Sequence, residues 1–151
     1  EYGAYWRLLT MLFDAFNITS VLETGSGNYS TNLFLERFKV ERLVSVENNA
    51  DWAKEHKTPR HELIVAEGTI ADSLPDLSDF DLVFVDDDPV NQRLGTIQAV
   101  IQTAPMVAIH DTDYAPWQRE VAALPSYTDR SHAPHTSVVW PAGAMDLRMP
   151  R

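Results

Sequence analysis

The 151-residue chain contains no cysteine, which excludes disulfide bonds, zinc–thiolate sites and thiol nucleophiles. Basic clusters are missing too: 12 Lys and Arg stand against 22 Asp and Glu, for a net charge of −10. Nucleic-acid binders neutralise phosphates with a basic surface, so this balance predicts no nucleic-acid partner. No hydrophobic run approaches the length of a membrane span, and no basic segment leads into an apolar one. We therefore expect no membrane partner and, given the missing cysteines, a cytoplasmic protein.

Repeats, low-complexity tracts and long linkers are also absent from the sequence. The length and the hydrophobic content of 44% predict a single domain over residues 1–151. Short apolar segments alternate with helical patterns along most of the chain, and two strand-like segments follow in succession near its end. The segments are 21–22, 43–46, 63–66, 82–85, 106–109, 126–130 and 136–140. This alternation predicts an α/β fold with a doubly wound, mainly parallel sheet and helices on both faces.

Capping residues and prolines predict where the helices begin. Ser30 or Thr31 is expected to cap the helix after the first strand, and Asp51 to cap the helix after the second. Pro89 is expected to begin the helix after the fourth strand, and Pro116 lies in the first turn of the last helix.

Polar residues directly follow the apolar strand segments. They are Glu23, Glu47, Glu67, Asp86 and the pair His110-Asp111. In a doubly wound sheet, ligands bind outside the carboxyl ends of the strands. The sequence therefore predicts a ligand site built from these strand ends.

A glycine loop, Gly25-Ser26-Gly27, lies between the first strand and the following helix, and Glu23 directly precedes it. Glycines allow the backbone to approach a ligand closely. A carboxylate at this place would repel a dinucleotide pyrophosphate but suits the cationic sulfonium and amino groups of S-adenosylmethionine (SAM). Glu47, after the second strand, is placed to accept hydrogen bonds from ribose hydroxyls.

These features together resemble the class I SAM-dependent methyltransferases, of the small-molecule type. The resemblance rests on Glu23-x-Gly25-x-Gly27, on Glu47, on the segment 80–86 and on His110-Asp111, and it runs from about Gly3 to Trp140. It implies a seven-stranded Rossmann-like sheet with an antiparallel last strand, and it places Gly68 and Thr69 beside the adenine. The predicted cofactor-binding residues are Glu23, Gly25, Ser26, Gly27, Tyr29, Glu47, Asn48, Gly68, Thr69 and Asp86.

His110, Asp111 and Asp86 are the predicted catalytic residues. His110 titrates near neutral pH and could take a proton from the acceptor, with Asp111 orienting the ring. Two alternatives stay open: His110 is a satisfied core residue beside a helix cap, or Asp86 joins His110 or Asp111 in holding a divalent ion. A metal is possible but not predicted.

The predicted function is transfer of a methyl group from SAM to an oxygen or nitrogen nucleophile of a small molecule. One alternative is a SAM-binding relative that does not methylate: a partner subunit, a sensor or another SAM-using enzyme. An NAD-dependent oxidoreductase is a further alternative, weakened by Glu23 and by Ser30, which stands where a third glycine is expected. A homodimer is possible, with the exposed side of the first helix as the nominated surface.

Overall fold

The structure, a computed structural model, describes residues 5–141 of the chain. The predicted single domain over 1–151 and the start of the resemblance at Gly3 extend beyond these residues and stay predictions. Seven strands form one sheet. In chain order they are β1 Ser20–Thr24, β2 Arg42–Glu47, β3 Glu62–Val65, β4 Leu82–Val85, β5 Val107–His110, β6 Ser126–Asp129 and β7 Thr136–Val139.

The strands are arranged in the order β3-β2-β1-β4-β5-β7-β6. The neighbours from β3 to β5 pair in parallel, whereas β7 pairs antiparallel with both β5 and β6. The predicted seven-stranded, mainly parallel sheet with an antiparallel last strand is confirmed. Because β1, β2 and β4 are neighbours at its centre, their carboxyl ends meet at one edge.

One helix precedes the first strand, and four more follow β1, β2, β4 and β5. They are α1 Trp6–Ala15, α2 Ser30–Asn32 continuing as a π-helix over Leu33–Phe38, α3 Ala50–His56, α4 Val90–Val100 and α5 Ala115–Ala122. Two single turns of 3₁₀-helix, Ala71–Ser73 and Leu77–Asp79, lie between β3 and β4. Within residues 5–141, no helix combines the length and the apolar character needed to cross a membrane.

The core lies on both faces of the sheet, since side chains alternate along each strand. In β4, Leu82 and Phe84 pack on the side of α1 and α2. The intervening Val83 and Val85 pack on the side of α4 and α5. Burial on both faces explains why every position of this strand is apolar.

Two predicted helix caps are wrong. The hydroxyls of Ser30 and Thr31 do not cap α2, because the helix already begins at Ser30 with Tyr29 at its N-cap; both hydroxyls donate to the buried Glu23 carboxylate. The cap of α3 is Asn49 rather than Asp51: its Oδ1 accepts the backbone N–H groups of Asp51 (3.2 Å) and Trp52 (3.1 Å).

Candidate functional site

A cavity of about 530 Å³ opens at the edge where the carboxyl ends of β1, β2 and β4 meet. Seven of the predicted cofactor-binding residues line it: Gly25, Ser26, Gly27, Tyr29, Glu47, Asn48 and Asp86. Predicted residues Gly68 and Thr69 are outside this lining. Thr69 instead donates its hydroxyl to Asp72 (2.6 Å) within the loop after β3.

The glycine loop forms the floor of the cavity beside the end of β4. Gly25 has a φ of +79°, which favours glycine, and a Cβ there would lie 2.8 Å from the Asp86 carbonyl oxygen and 2.8 Å from the Asp87 Cα. Its own N–H donates to the carbonyl oxygen of Val46 (2.9 Å). Gly25 therefore joins the ends of β1, β2 and β4 at closer range than any other residue type allows.

The Glu47 carboxylate is fixed at the cavity wall by both of its oxygens. Oε2 accepts the backbone N–H of Ser26 (3.1 Å) and the Ser26 hydroxyl (3.3 Å), and Oε1 accepts the backbone N–H of Asn49 (2.8 Å). The indole of Trp52, which also lines the cavity, donates to the Ser26 carbonyl oxygen (2.6 Å) and holds the same loop. A carboxylate held in this way needs no reorganisation to accept ligand hydroxyls.

Glu23 lies behind the cavity rather than in its lining, and none of its surface is exposed. β1 continues to Thr24, so Glu23 occupies a position inside the sheet. Its carboxylate accepts hydrogen bonds from the hydroxyls of Ser30, Thr31 (2.7 Å) and Ser45 (2.7 Å). These bonds attach the start of α2 to the sheet, so Glu23 supports the glycine loop from below.

Burial raises the pKa of Glu23 from its usual value near 4.5 to about 7, while its hydroxyl partners act in the opposite direction. The pKa of Glu23 is higher in the folded state than in the unfolded state. At pH values between these two pKa values, the folded state therefore binds more protons than the unfolded state. Glu23 therefore contributes stability that falls as the pH rises from about 5 to about 8. In the Glu23→Gln variant, we expect the fall in unfolding free energy over this window to shrink by an amount on the order of 2 kcal/mol.

Urea unfolding of the wild type and of Glu23→Gln at both ends of the window measures this difference. Glu41→Gln is the matched control, because Glu41 is an exposed carboxylate before β2. Equal pH dependence in the wild type and in Glu23→Gln would show that burial does not shift this group.

The three consecutive aspartates after β4 have three different environments. Asp86 lines the cavity. Asp87 is buried and accepts the hydroxyls of Thr24 (2.7 Å) and Thr96 (3.0 Å). Asp88 accepts the backbone N–H of Val90 (3.1 Å) at the start of α4. Asp86, singled out from the sequence, is thus the aspartate of the three whose carboxylate faces both the cavity and the next cluster of charges.

Arg93 on α4 is the centre of that cluster, and its role was not predicted from the sequence. Its guanidinium is buried and contacts Asp111 (Nη1–Oδ2 2.7 Å), Asp86 (Nη2–Oδ1 3.4 Å) and the Asp87 carbonyl oxygen (from Nε, 2.6 Å). It also lies 5.5 Å from the ring centre of Trp117. Arg93 shares the inward face of α4 with Val90 and Ile97, and an arginine on an apolar face signals a buried anion.

The environment of Asp86 makes its carboxylate an unusually strong base. Burial raises its pKa to about 8; Arg93 lowers it, and the neighbouring Asp111 and Glu23 raise it. A carboxylate with this pKa can accept a proton near neutral pH more readily than an ordinary aspartate.

His110 and Asp111 lie at the end of β5. The His110 ring hydrogen-bonds through Nδ1 to the Thr136 hydroxyl (3.0 Å), and its Nε2 lies 3.4 Å from Asp111 Oδ1. Burial lowers the pKa of His110, with Asp111 acting in the opposite direction, so the ring is neutral near pH 7. Asp111 has a φ of +58°, a conformation rare for residues other than glycine and one that is found at functional sites.

A ligand nitrogen of His110 and ligand oxygens of Asp86 and Asp111 lie within 4.8 Å of one another. Such a set suits a divalent ion in chemistry and spacing. However, the Arg93 guanidinium already contacts both carboxylates and supplies positive charge between them. An ion would have to compete with this guanidinium, so the fit is poor and no step is assigned to a metal.

Two further parts of the site lie outside the predicted cofactor-binding and catalytic residues. Tyr5 lines the main cavity, and its ring packs edge-on against His110 with centres 4.9 Å apart. A second cavity, of about 270 Å³, lies beside the first between the starts of α4 and α5. It is lined by Val90, Asp111, Asp113, Tyr114 and Trp117.

No protein-family model matches the chain, and a search of curated proteins finds no match. Solved structures are similar in fold. The methyltransferase domain of a bacterial CtHen1 superposes with a TM-score of 0.63 at 11% identity, over 89% of this chain and 95% of that one. M. jannaschii TYW2, solved in complex with AdoMet, gives a TM-score of 0.54 at 14% identity, over 91% and 74% of the two chains.

Spermidine synthase from Thermotoga maritima gives a TM-score of 0.57 at 15% identity, over 87% of this chain. The chain spans little more than half, 56%, of that enzyme. At these identities the comparisons establish architecture. The chain has the fold of the class I SAM-dependent methyltransferases, as the sequence motifs predict.

Proposed function

We propose that this protein binds SAM in the 530 Å³ cavity and transfers its methyl group to an oxygen or nitrogen nucleophile of a small molecule. The charge of the cavity lining carries this proposal. Among the described residues that line it, Glu47, Asp86 and Asp88 are acidic and none is basic. SAM carries a sulfonium and an ammonium group, so a lining of this charge favours it over ligands with phosphate groups.

The backbone of the glycine loop supports the same choice of ligand. A dinucleotide pyrophosphate is normally bound by free N–H groups at this loop. Here the N–H of Gly25 donates to Val46, that of Ser26 to Glu47, and that of Gly27 to the Thr31 hydroxyl (3.0 Å). These donors are already used inside the protein, which disfavours the NAD-dependent alternative.

Roles for the individual residues follow from their positions. Glu47 is placed to accept hydrogen bonds from the ribose hydroxyls, and Trp52 and Asn48 to border the base. When bound, SAM supplies a methyl carbon activated by the positive sulfur. Asp86 takes the proton that the acceptor nucleophile loses, and the neutral His110 and the Arg93 guanidinium hold Asp111 beside it.

Calorimetric titration of the ligand-stripped protein with SAM, S-adenosylhomocysteine and NAD tests the proposal. We expect binding of the first two and none of NAD. Glu47→Ala should weaken SAM binding by about 100-fold, because charge-assisted hydrogen bonds are lost. Glu41→Ala, at the opposite end of β2, should leave it unchanged. NAD binding, or SAM binding that is indifferent to Glu47, would refute the assignment.

Transfer of an aminopropyl group from decarboxylated SAM is a second candidate. The absence of a basic residue among the described lining residues leaves the SAM carboxylate without a charged partner, and a spermidine synthase is among the similar structures. Competition between SAM and decarboxylated SAM in the same titration distinguishes the two functions. Tighter binding of decarboxylated SAM, together with its turnover, would favour this second candidate.

A further inference from the structure

The second cavity has no role in the binding of SAM as described above. It lies between Val90 at the start of α4 and the loop that joins β5 to α5, and Trp117 forms its floor. Its volume of about 270 Å³ suits a small organic molecule of roughly ten heavy atoms. The residues that line it determine which class of small molecule it would bind.

The two cavities share one charged wall. Asp86 borders the larger cavity and Asp111 the smaller, and the Arg93 guanidinium contacts both carboxylates, at 3.4 Å and 2.7 Å. Oxygens of Asp86 and Asp111 come within 4.8 Å of one another. A molecule in the smaller cavity would therefore lie against the wall that also faces the donor cavity, as transfer between two ligands requires.

The lining of the smaller cavity combines carboxylates with an accessible aromatic ring. Asp111 and Asp113 contribute the carboxylates, and none of the described lining residues is basic. Tyr114 is 49% exposed, with its ring 4.8 Å from that of Trp117. Carboxylates and aromatic faces are independent features, and both attract organic cations.

The charges beside this cavity are negative on balance. Burial keeps Asp86 largely protonated and His110 neutral near pH 7, so the carboxylates of Asp111 and Asp113 stand against the single Arg93 cation. Asp113 is exposed, and one of its oxygens accepts the backbone N–H of His135 (3.1 Å), which fixes the carboxylate at the rim. An anionic acceptor would meet the repulsion of the two carboxylates that line this cavity.

We propose that this second cavity is the acceptor site and that the acceptor is a small organic amine, bound as its ammonium ion by Asp111 and Asp113 and by the ring of Tyr114. This deepens the proposed function and rests on it for the identity of the donor. For transfer, an N–H bond of the ammonium breaks and its proton passes to Asp86. The freed nitrogen lone pair forms the N–C bond while the C–S bond of the donor breaks, and that electron pair stays on sulfur.

Three probes of similar shape and different charge test the amine assignment: 2-phenylethylamine, 2-phenylethanol and 3-phenylpropanoate. Each is titrated calorimetrically into the full chain, with and without S-adenosylhomocysteine. We expect the amine to bind at least about tenfold more tightly than the alcohol and the carboxylate. Asp113→Asn, which keeps the acceptor for the His135 N–H, and Tyr114→Leu should each weaken amine binding by about tenfold.

The control variant is Glu62→Gln, which removes one exposed negative charge at the opposite edge of the sheet on β3 and should change nothing. Binding of the alcohol or carboxylate as tight as that of the amine, or no binding of any probe, overturns the proposal. The titrations without cofactor distinguish a wrong assignment of the donor from a wrong assignment of the acceptor class. If the amine binds but SAM does not, the donor assignment is wrong; if SAM binds and the amine shows no preference, the acceptor class is wrong.

Discussion

Replacing Arg93 with methionine is expected to lower the free energy of unfolding by about 3 kcal/mol. The change leaves the Asp86 and Asp111 carboxylates facing each other without the cation that contacts both, and it removes the donor to the Asp87 carbonyl oxygen. Both carboxylates are partly exposed, at 24% and 30% for their side chains, so the loss lies at the low end for a broken buried ion pair.

The loss in Arg93→Met should also depend on pH. Arg93 lowers the pKa of Asp86, so the variant raises it further above its unfolded value. From about pH 8 upward, the folded variant keeps a proton that the folded wild type loses, so its deficit should be smaller near pH 7 than at about pH 9.5. Urea unfolding at both values measures this, and adding Asp111→Asn should restore part of the loss.

Arg42→Met is the matched control for this variant. Arg42 forms an ion pair with Asp79 (3.9 Å), but both side chains are about half exposed, at 46% and 61%. Its replacement should cost less than about 1 kcal/mol and show little dependence on pH. Equal losses in the Arg93 and Arg42 variants would mean that the buried guanidinium does not hold the site together.

The secondary structure of the fold was predictable because it follows from patterns in short sequence segments. Each strand of the parallel part is a short apolar segment, and β4 is apolar throughout, so its burial on both faces can be derived from the sequence. The seven strands and the antiparallel last strand were predicted through the family resemblance, but the strand order was not. It depends on which strands pair, and pairing is a property of residues far apart in sequence.

The predictions of site residues at the strand ends were only partly correct. Glu47 and Asp86 come after or at the last residue of their strands and line the cavity. Glu23 was assumed to follow β1, but the strand continues through Thr24. Strand boundaries are hard to place to within two residues, and here that displacement moves a carboxylate from the cavity into the sheet.

Residues that act through distant partners were not predicted. The role of the buried Arg93 depends on Asp86 and on Asp111, which directly follows β5 and lies 18 positions from Arg93 in the sequence. The caps at Ser30 and Thr31 failed because α2 begins earlier than the sequence pattern indicates. Tyr29 holds the N-cap position, and the hydroxyls of Ser30 and Thr31, which lie inside the first turn, donate to the buried Glu23 carboxylate.

Gly25→Ala is expected to destabilise the protein by about 3 kcal/mol and to abolish SAM binding. The backbone at φ +79° is strained for alanine, and the new Cβ would lie 2.8 Å from two backbone atoms after β4. A flexible side chain could rotate away from the new Cβ, but backbone atoms cannot. The end of β4 must therefore move, and Asp86 with it.

Gly27→Ala is the matched control in the same loop. Its φ is not in the left-handed region, and the heavy atom nearest to the added Cβ is the Ser30 hydroxyl oxygen at 4.0 Å. We expect its unfolding free energy to stay within about 1 kcal/mol of the wild type. Because Gly27 also lines the cavity, weaker SAM binding in this stable variant would show that the ligand lies against the loop. A Gly25→Ala protein as stable as Gly27→Ala would instead show that β1 and β4 need not approach so closely here, and the placement of Asp86 in the site would lose its support.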